Sequence, residues 1–129
     1  MSGRPCTVRF RIGKAAVPQA RAYVVRILGE WRLGQVSEPA ALVTSELVTN
    51  AIVHARGIGE YSELGLARRK RALLLEVSDS YSWAQPELRK PGPEETHGRG
   101  LLLVDALSEA WGVREREGAG KTVWVRLTL

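Results

Sequence analysis

Cysteine occurs once in 129 residues, at Cys6, which excludes an internal disulfide framework and any cysteine-rich zinc module. Histidine is nearly as scarce. With only His54 and His97, a transition-metal site built by the protein is not expected. No stretch approaches the ~18 consecutive apolar residues that a membrane helix needs. Met1-Ser2-Gly3-Arg4-Pro5 lacks the apolar core and small-residue cleavage site of a signal peptide, so the expected location is the cytoplasm, with no membrane partner. What is present is the composition of a globular chain, 44% hydrophobic and 26% charged. The length suits a single domain spanning 1–129.

Acidic charge is the minority. Nineteen basic residues against fourteen acidic ones leave a net charge of +5, with a pI near 9.9. Such a balance is the footprint of a phosphate-backbone binder, but it would serve ATP or an acidic protein partner equally well. The arginines are scattered, apart from Arg68-Arg69-Lys70-Arg71, which sits between two alternating apolar segments and reads as a solvated hairpin turn. No helix-turn-helix or aromatic ribonucleoprotein pattern accompanies the charge, so nucleic acid is not the expected partner.

Cys6 to Ile12 alternates with period two and predicts a half-exposed strand. From Pro18 the apolar residues Ala22, Val25, Leu28 and Leu33 recur at helical spacing, with Gly34 as the expected stop. Ser37-Glu38-Pro39 opens a second helix, Ser37 as its cap, running to about Ala55. Tyr61–Ala67 and Arg71–Ser78 predict two strands joined by the basic turn, the second so apolar that it should be central and buried. Residues 79–100 carry three prolines and no hydrophobic period, as a lid or binding segment would. Leu101–Leu107 predicts a helix buried on most sides, and Trp111–Arg116 and Thr122–Leu127 predict the closing strands. The grouping implies an α/β (α+β) two-layer sandwich: a mixed, mostly antiparallel sheet with helices on one face.

Four segments could carry chemistry. Glu46, Asn50 and His54 stand four apart, so a carboxylate, an amide and an imidazole share one side of a helix. An Asn carbonyl oxygen together with substrate phosphates suffices for magnesium, which favours oxygen ligands and keeps several waters. On spacing alone, a solvated helix face is the simpler reading of the row and the favoured one. Asp79 ends the apolar strand, where it could accept from a base amino group or merely cap a turn. Gly98-Arg99-Gly100-Leu101 opens directly into a helix, where free N–H groups and the helix dipole favour an anion and Arg99 adds positive charge. Neither a P-loop nor the six-residue dinucleotide fingerprint is present. Gly120-Lys121-Thr122 reads as a charged hairpin tip, or as a hydroxyl and an ammonium reaching toward the same phosphates.

In this order and spacing the segments resemble the GHKL, or Bergerat-fold, ATP-binding superfamily of gyrase, histidine kinases and Hsp90-type chaperones. They look most like its single-domain anti-sigma-factor serine/threonine kinase branch, common in actinobacteria. Val43-Thr44-Ser45-Glu46-Leu47-Val48-Thr49-Asn50-Ala51-Ile52-Val53-His54-Ala55 is similar to the asparagine box, which makes Glu46 the general base and Asn50 the magnesium ligand by resemblance. Val77-Ser78-Asp79 falls where the adenine-reading aspartate stands, and Gly98–Val104 looks like the glycine box behind an ATP lid at about 84–99. Gly120-Lys121-Thr122-Val123-Trp124 resembles the final box, whose threonine supports the aspartate and its water. His54 matches the branch pattern in a structural place. One departure stands out: Ser80-Tyr81-Ser82-Trp83 follow Asp79 where the superfamily usually has Gly-x-Gly-type spacing.

The resemblance implies ATP and Mg2+ as cofactors and an anti-sigma-factor-like serine/threonine protein kinase that phosphorylates an anti-anti-sigma protein. A sigma factor is then the second partner, and pairing of two copies is in keeping with relatives that dimerise. The alternative is a non-catalytic ATP-sensing or protein-docking module in transcriptional regulation, which the residues after Asp79 favour. A slow ATPase would use the same residues with water as acceptor.

Overall fold

The computed structural model describes residues 4–54, 61–79, 102–115 and 121–129. The expected alternation of Cys6–Arg11 forms β1, an edge strand with Phe10 buried and the even-numbered Val8 partly so. Helix α1 (Ala16–Glu30) buries Ala20, Val24, Ile27 and Leu28. Of the expected stripe Leu28 and Leu33 are buried, whereas Ala22 and Val25 face solvent, because the helix turns the row through Ala20, Val24 and Ile27 to the sheet instead. It begins two residues before Pro18. That proline is tolerated because it lies in the first turn, where an N–H would have no partner within the helix.

The end of α1 differs from the expectation. Gly34 is not the stop; Arg32 is, at φ 60°. The Leu33 N–H donates to the Leu28 carbonyl at 2.8 Å and the Arg32 N–H to the Gly29 carbonyl at 3.1 Å, which is a Schellman closure. Buried Leu28 and Leu33 supply the apolar contact that accompanies this motif, so packing holds an arginine in a conformation that glycine takes more readily. A 3-10 turn, Gly34–Val36, then runs into α2 (Ser37–His54). Ser37 is itself helical (φ −59°, ψ −44°) and so does not take the non-helical cap position expected of it.

Strands β2 (Tyr61–Arg69), β3 (Ala72–Asp79), β4 (Ala110–Glu115) and β5 (Lys121–Thr128) complete a five-stranded sheet in the order β1-β2-β3-β5-β4. β3 is central, as its apolar run predicts. All four pairings among the described strands are antiparallel. A helix at 102–107, α3, leads from β3 back to β4, which runs parallel to β3. β5 inserts between them, so this split crossover creates no parallel pair.

One face of the sheet is covered by helices. Leu73, Leu75 and Val77 of β3, with Leu64, Leu66, Val123, Val125 and Leu127 on either side, share one buried core with Val24, Leu28, Val43, Leu47 and Val48. The two-layer α/β expectation holds. α3 is less buried than its leucines suggest: Val104 is fully enclosed, whereas Leu102 is 69% exposed. A helix laid on a sheet can turn only one stripe inward, and a run of leucines overfills it. Among the described residues no helix is long and apolar enough to cross a membrane.

Candidate functional site

Connectivity gathers several of the expected residues at one end of the sheet. Asp79, the last residue of β3, pairs with Ser62 near the start of β2 and with Lys121, the first residue of β5. Residues 55–60 alone join α2 to β2, so the last turn of α2 lies at the same end. Beyond the C-terminal end of α3 the Glu109 N–H donates to the Arg126 carbonyl at 2.8 Å, toward the opposite end of the sheet.

On α2 the core stripe of Val43, Leu47, Val48 and Ala51 fixes the helix rotation. Glu46 and Asn50 are thereby set one turn apart at the margin of the buried stripe, each half-buried. The Asn50 amide oxygen is inaccessible to solvent and has no hydrogen-bond partner among the described residues. Such an acceptor costs roughly 1–3 kcal/mol unless something donates to it or coordinates it. Ser45 Oγ, next to Glu46, is also buried without a partner, whereas the neighbouring Thr44 hydroxyl donates to the Ala40 carbonyl at 2.8 Å. The row is therefore more than a solvated face.

Asp79 is the last residue of β3, two residues beyond the buried Val77. The residue opposite it in register is Lys121. Thr122 belongs to the other row: it pairs with Ser78, and the two buried hydroxyls lie 2.8 Å apart. The Ser62 hydroxyl donates to the Ser78 carbonyl at 3.1 Å. The Thr122 hydroxyl thus ties β5 to β3 at Ser78, one residue before Asp79. Ser62 and Ser78 were not among the expected residues. The signal for them is hydroxyls interrupting apolar strands at matched register, which becomes legible only when pairing is known.

Gly98, Arg99, Gly100, Leu101 and the lid at about 84–99 lie outside the described residues. Among the described residues, no group of three His, Cys, Asp or Glu could hold a metal. A cation at Asn50 could complete its shell with phosphate oxygens and water, a donor set that suits magnesium. The unpartnered Asn50 oxygen fits that role. One described titratable group departs clearly from its ordinary value. Tyr23 is pushed up to about 12, by burial first and by its hydrogen bond with Cys6 next, at the end of β1 away from Asp79.

A half-buried carboxylate and a buried amide oxygen one turn apart on a helix can take up a proton and ligate a cation. The model of one protein family, described as a histidine kinase-like ATPase domain, matches residues 10–127. Among curated proteins no match was found.

Proposed function

From the premise that the chain belongs to the histidine kinase-like ATPase domain family, and so is an ATP-binding domain of GHKL type, we propose that it is an anti-sigma-factor-like serine/threonine protein kinase whose substrate is an anti-anti-sigma protein. The observation that carries the reading is the buried, unpartnered oxygen of Asn50, one turn beyond the Glu46 carboxylate.

In this reading Asp79 accepts a hydrogen bond from the adenine amino group. Asn50 offers its amide oxygen to Mg2+, and Gly98, Arg99, Gly100 and Leu101 surround the phosphates with N–H groups and one guanidinium. Lys121 closes the site from β5, and Thr122, tied to Ser78, braces the strand that carries Asp79. Magnesium, when bound, supplies charge neutralisation at the phosphates. Glu46 takes the proton from the acceptor serine as its oxygen bonds to the γ-phosphorus, and ADP leaves. Phosphoryl transfer asks for this kind of positioning and neutralisation more than for covalent chemistry by the protein. A sigma factor is the second partner, released or held according to the phosphorylation state of the first.

The residues Ser80-Tyr81-Ser82-Trp83 favour a second reading, a domain that senses ATP and docks without transferring phosphate. Calorimetric titration with Mg-ATP and Mg-ADP tests the pocket: wild type binds, and Asp79→Asn loses most of the affinity. Labelled ATP with a cognate anti-anti-sigma protein then separates the two readings. Transfer abolished by Glu46→Gln, with nucleotide binding intact, supports the kinase. Binding without transfer in wild type supports the sensor.

A further inference from the structure

At the end of the sheet opposite Asp79, on the face that the helices leave open, the β2–β3 hairpin overhangs a groove of about 490 Å3. Its floor is apolar, Ala72 and Leu74 of β3. Its walls are Arg69, Lys70 and Arg71 from the hairpin and Arg126 from β5, with Glu109 as the single carboxylate.

These charges are not equivalent. Glu109 is already engaged: Arg126 Nη1 stands 3.8 Å from one of its oxygens, and the Thr128 hydroxyl donates to the other at 3.0 Å. Arg126 is fixed further by the Trp124 ring, 5.7 Å from its guanidinium carbon. Arg69, Lys70 and Arg71 are exposed, and none has an ion-pair or hydrogen-bonded side-chain partner among the described residues. Three adjacent cations therefore keep their full demand for negative charge around an apolar floor. Lys70, at φ 48°, holds the tip in a left-handed turn that limits how far the three can spread.

We propose that this groove docks an acidic segment of a protein partner, an extended stretch in which aspartates or glutamates flank one apolar side chain. The carboxylates meet Arg69, Lys70 and Arg71, and the apolar side chain rests on Ala72 and Leu74. Charge complementarity of this kind mainly sets encounter rate and partner choice. A nucleic acid fits less well: among the described residues no aromatic ring lines the groove to stack a base, and the free cations are confined to one hairpin tip. The groove lies on the opposite face from the core row of Leu73, Leu75 and Val77. Seven residue steps along β3 separate the two ends, on the order of 23 Å, so docking does not obstruct the nucleotide end.

Fluorescence anisotropy with the whole chain tests this. The probe is a labelled peptide of about seven residues, acidic except for a central leucine. The comparators are the same peptide with serine for leucine and a single-stranded oligonucleotide of equal charge. The leucine peptide binds wild type most tightly. Arg69→Glu with Arg71→Glu weakens it by about tenfold or more, and Leu74→Thr removes its advantage over the serine peptide. Both substitutions lie at exposed or half-buried positions, and circular dichroism verifies the fold. Asn50→Leu leaves peptide binding unchanged, which separates this surface from the nucleotide reading. Peptide binding that survives the double charge reversal overturns the proposal, as does an oligonucleotide that binds as tightly as the leucine peptide.

Discussion

Replacing Asn50 by leucine should make the nucleotide-free protein more stable while removing its response to Mg-ATP. The side chains share a branched skeleton, but leucine has no polar atoms. The Asn50 oxygen is buried without a partner, a penalty of roughly 1–3 kcal/mol that the substitution removes. Loss of whatever the half-buried amide nitrogen gains, and the slightly larger volume, offset part of this, about 0.5–1.5 kcal/mol together. The net expectation is a gain of about 1 kcal/mol. Unfolding entropy is about 2.1 cal/mol/K per residue, or roughly 0.27 kcal/mol/K for 129 residues, so Tm rises by about 4 °C. Wild type at a hundredfold excess of Mg-ATP over Kd gains about 2.7 kcal/mol, or roughly 10 °C. Thermal unfolding followed by circular dichroism, with and without nucleotide, magnesium and chelator, reads both effects. A variant less stable than wild type without nucleotide would refute the accounting of the buried oxygen. A variant that keeps a magnesium-dependent shift of about 10 °C would refute its role toward the cation.

Arg32→Gly relieves the left-handed strain at the end of α1 while keeping the Schellman bonds, and should stabilise the chain by up to about 1 kcal/mol in urea titrations. Gly112→Ala places a Cβ 2.9 Å from the Trp124 ring, its register partner on β5. The indole must be displaced from Arg126, and the same titration should show a loss of about 1–2 kcal/mol. Tyr23, raised to about 12, makes stability pH-dependent at the alkaline end. Its folded value exceeds the unfolded value near 10, so its contribution is complete below pH 10 and is lost between pH 10 and 12. Tyr23→Phe should flatten that part of the stability profile, and absorbance near 295 nm should lose its latest-titrating phenol.

The sequence by itself determined most of the elements and the placement of Glu46 and Asn50 on one side of α2. Period two marked β1, β2 and β3, and the nearly unbroken apolar run of β3 marked the centre of the sheet. The spacing of Glu46 and Asn50 put them one turn apart before any coordinates were known, because a helix converts spacing directly into a shared face. Local rules fail where a distant neighbour decides. Arg32 rather than Gly34 ends α1 because Leu28 and Leu33 are both held in the core. Leu102 is exposed because the helix–sheet contact admits only one stripe of α3, anchored by Val104. Strand register set the rest. Inserting β5 between β3 and β4 put Lys121 opposite Asp79 and Thr122 opposite Ser78, and it brought Arg126 to the basic hairpin. Register is fixed by burying a whole row of side chains at once, a cooperative choice that no short window of sequence contains.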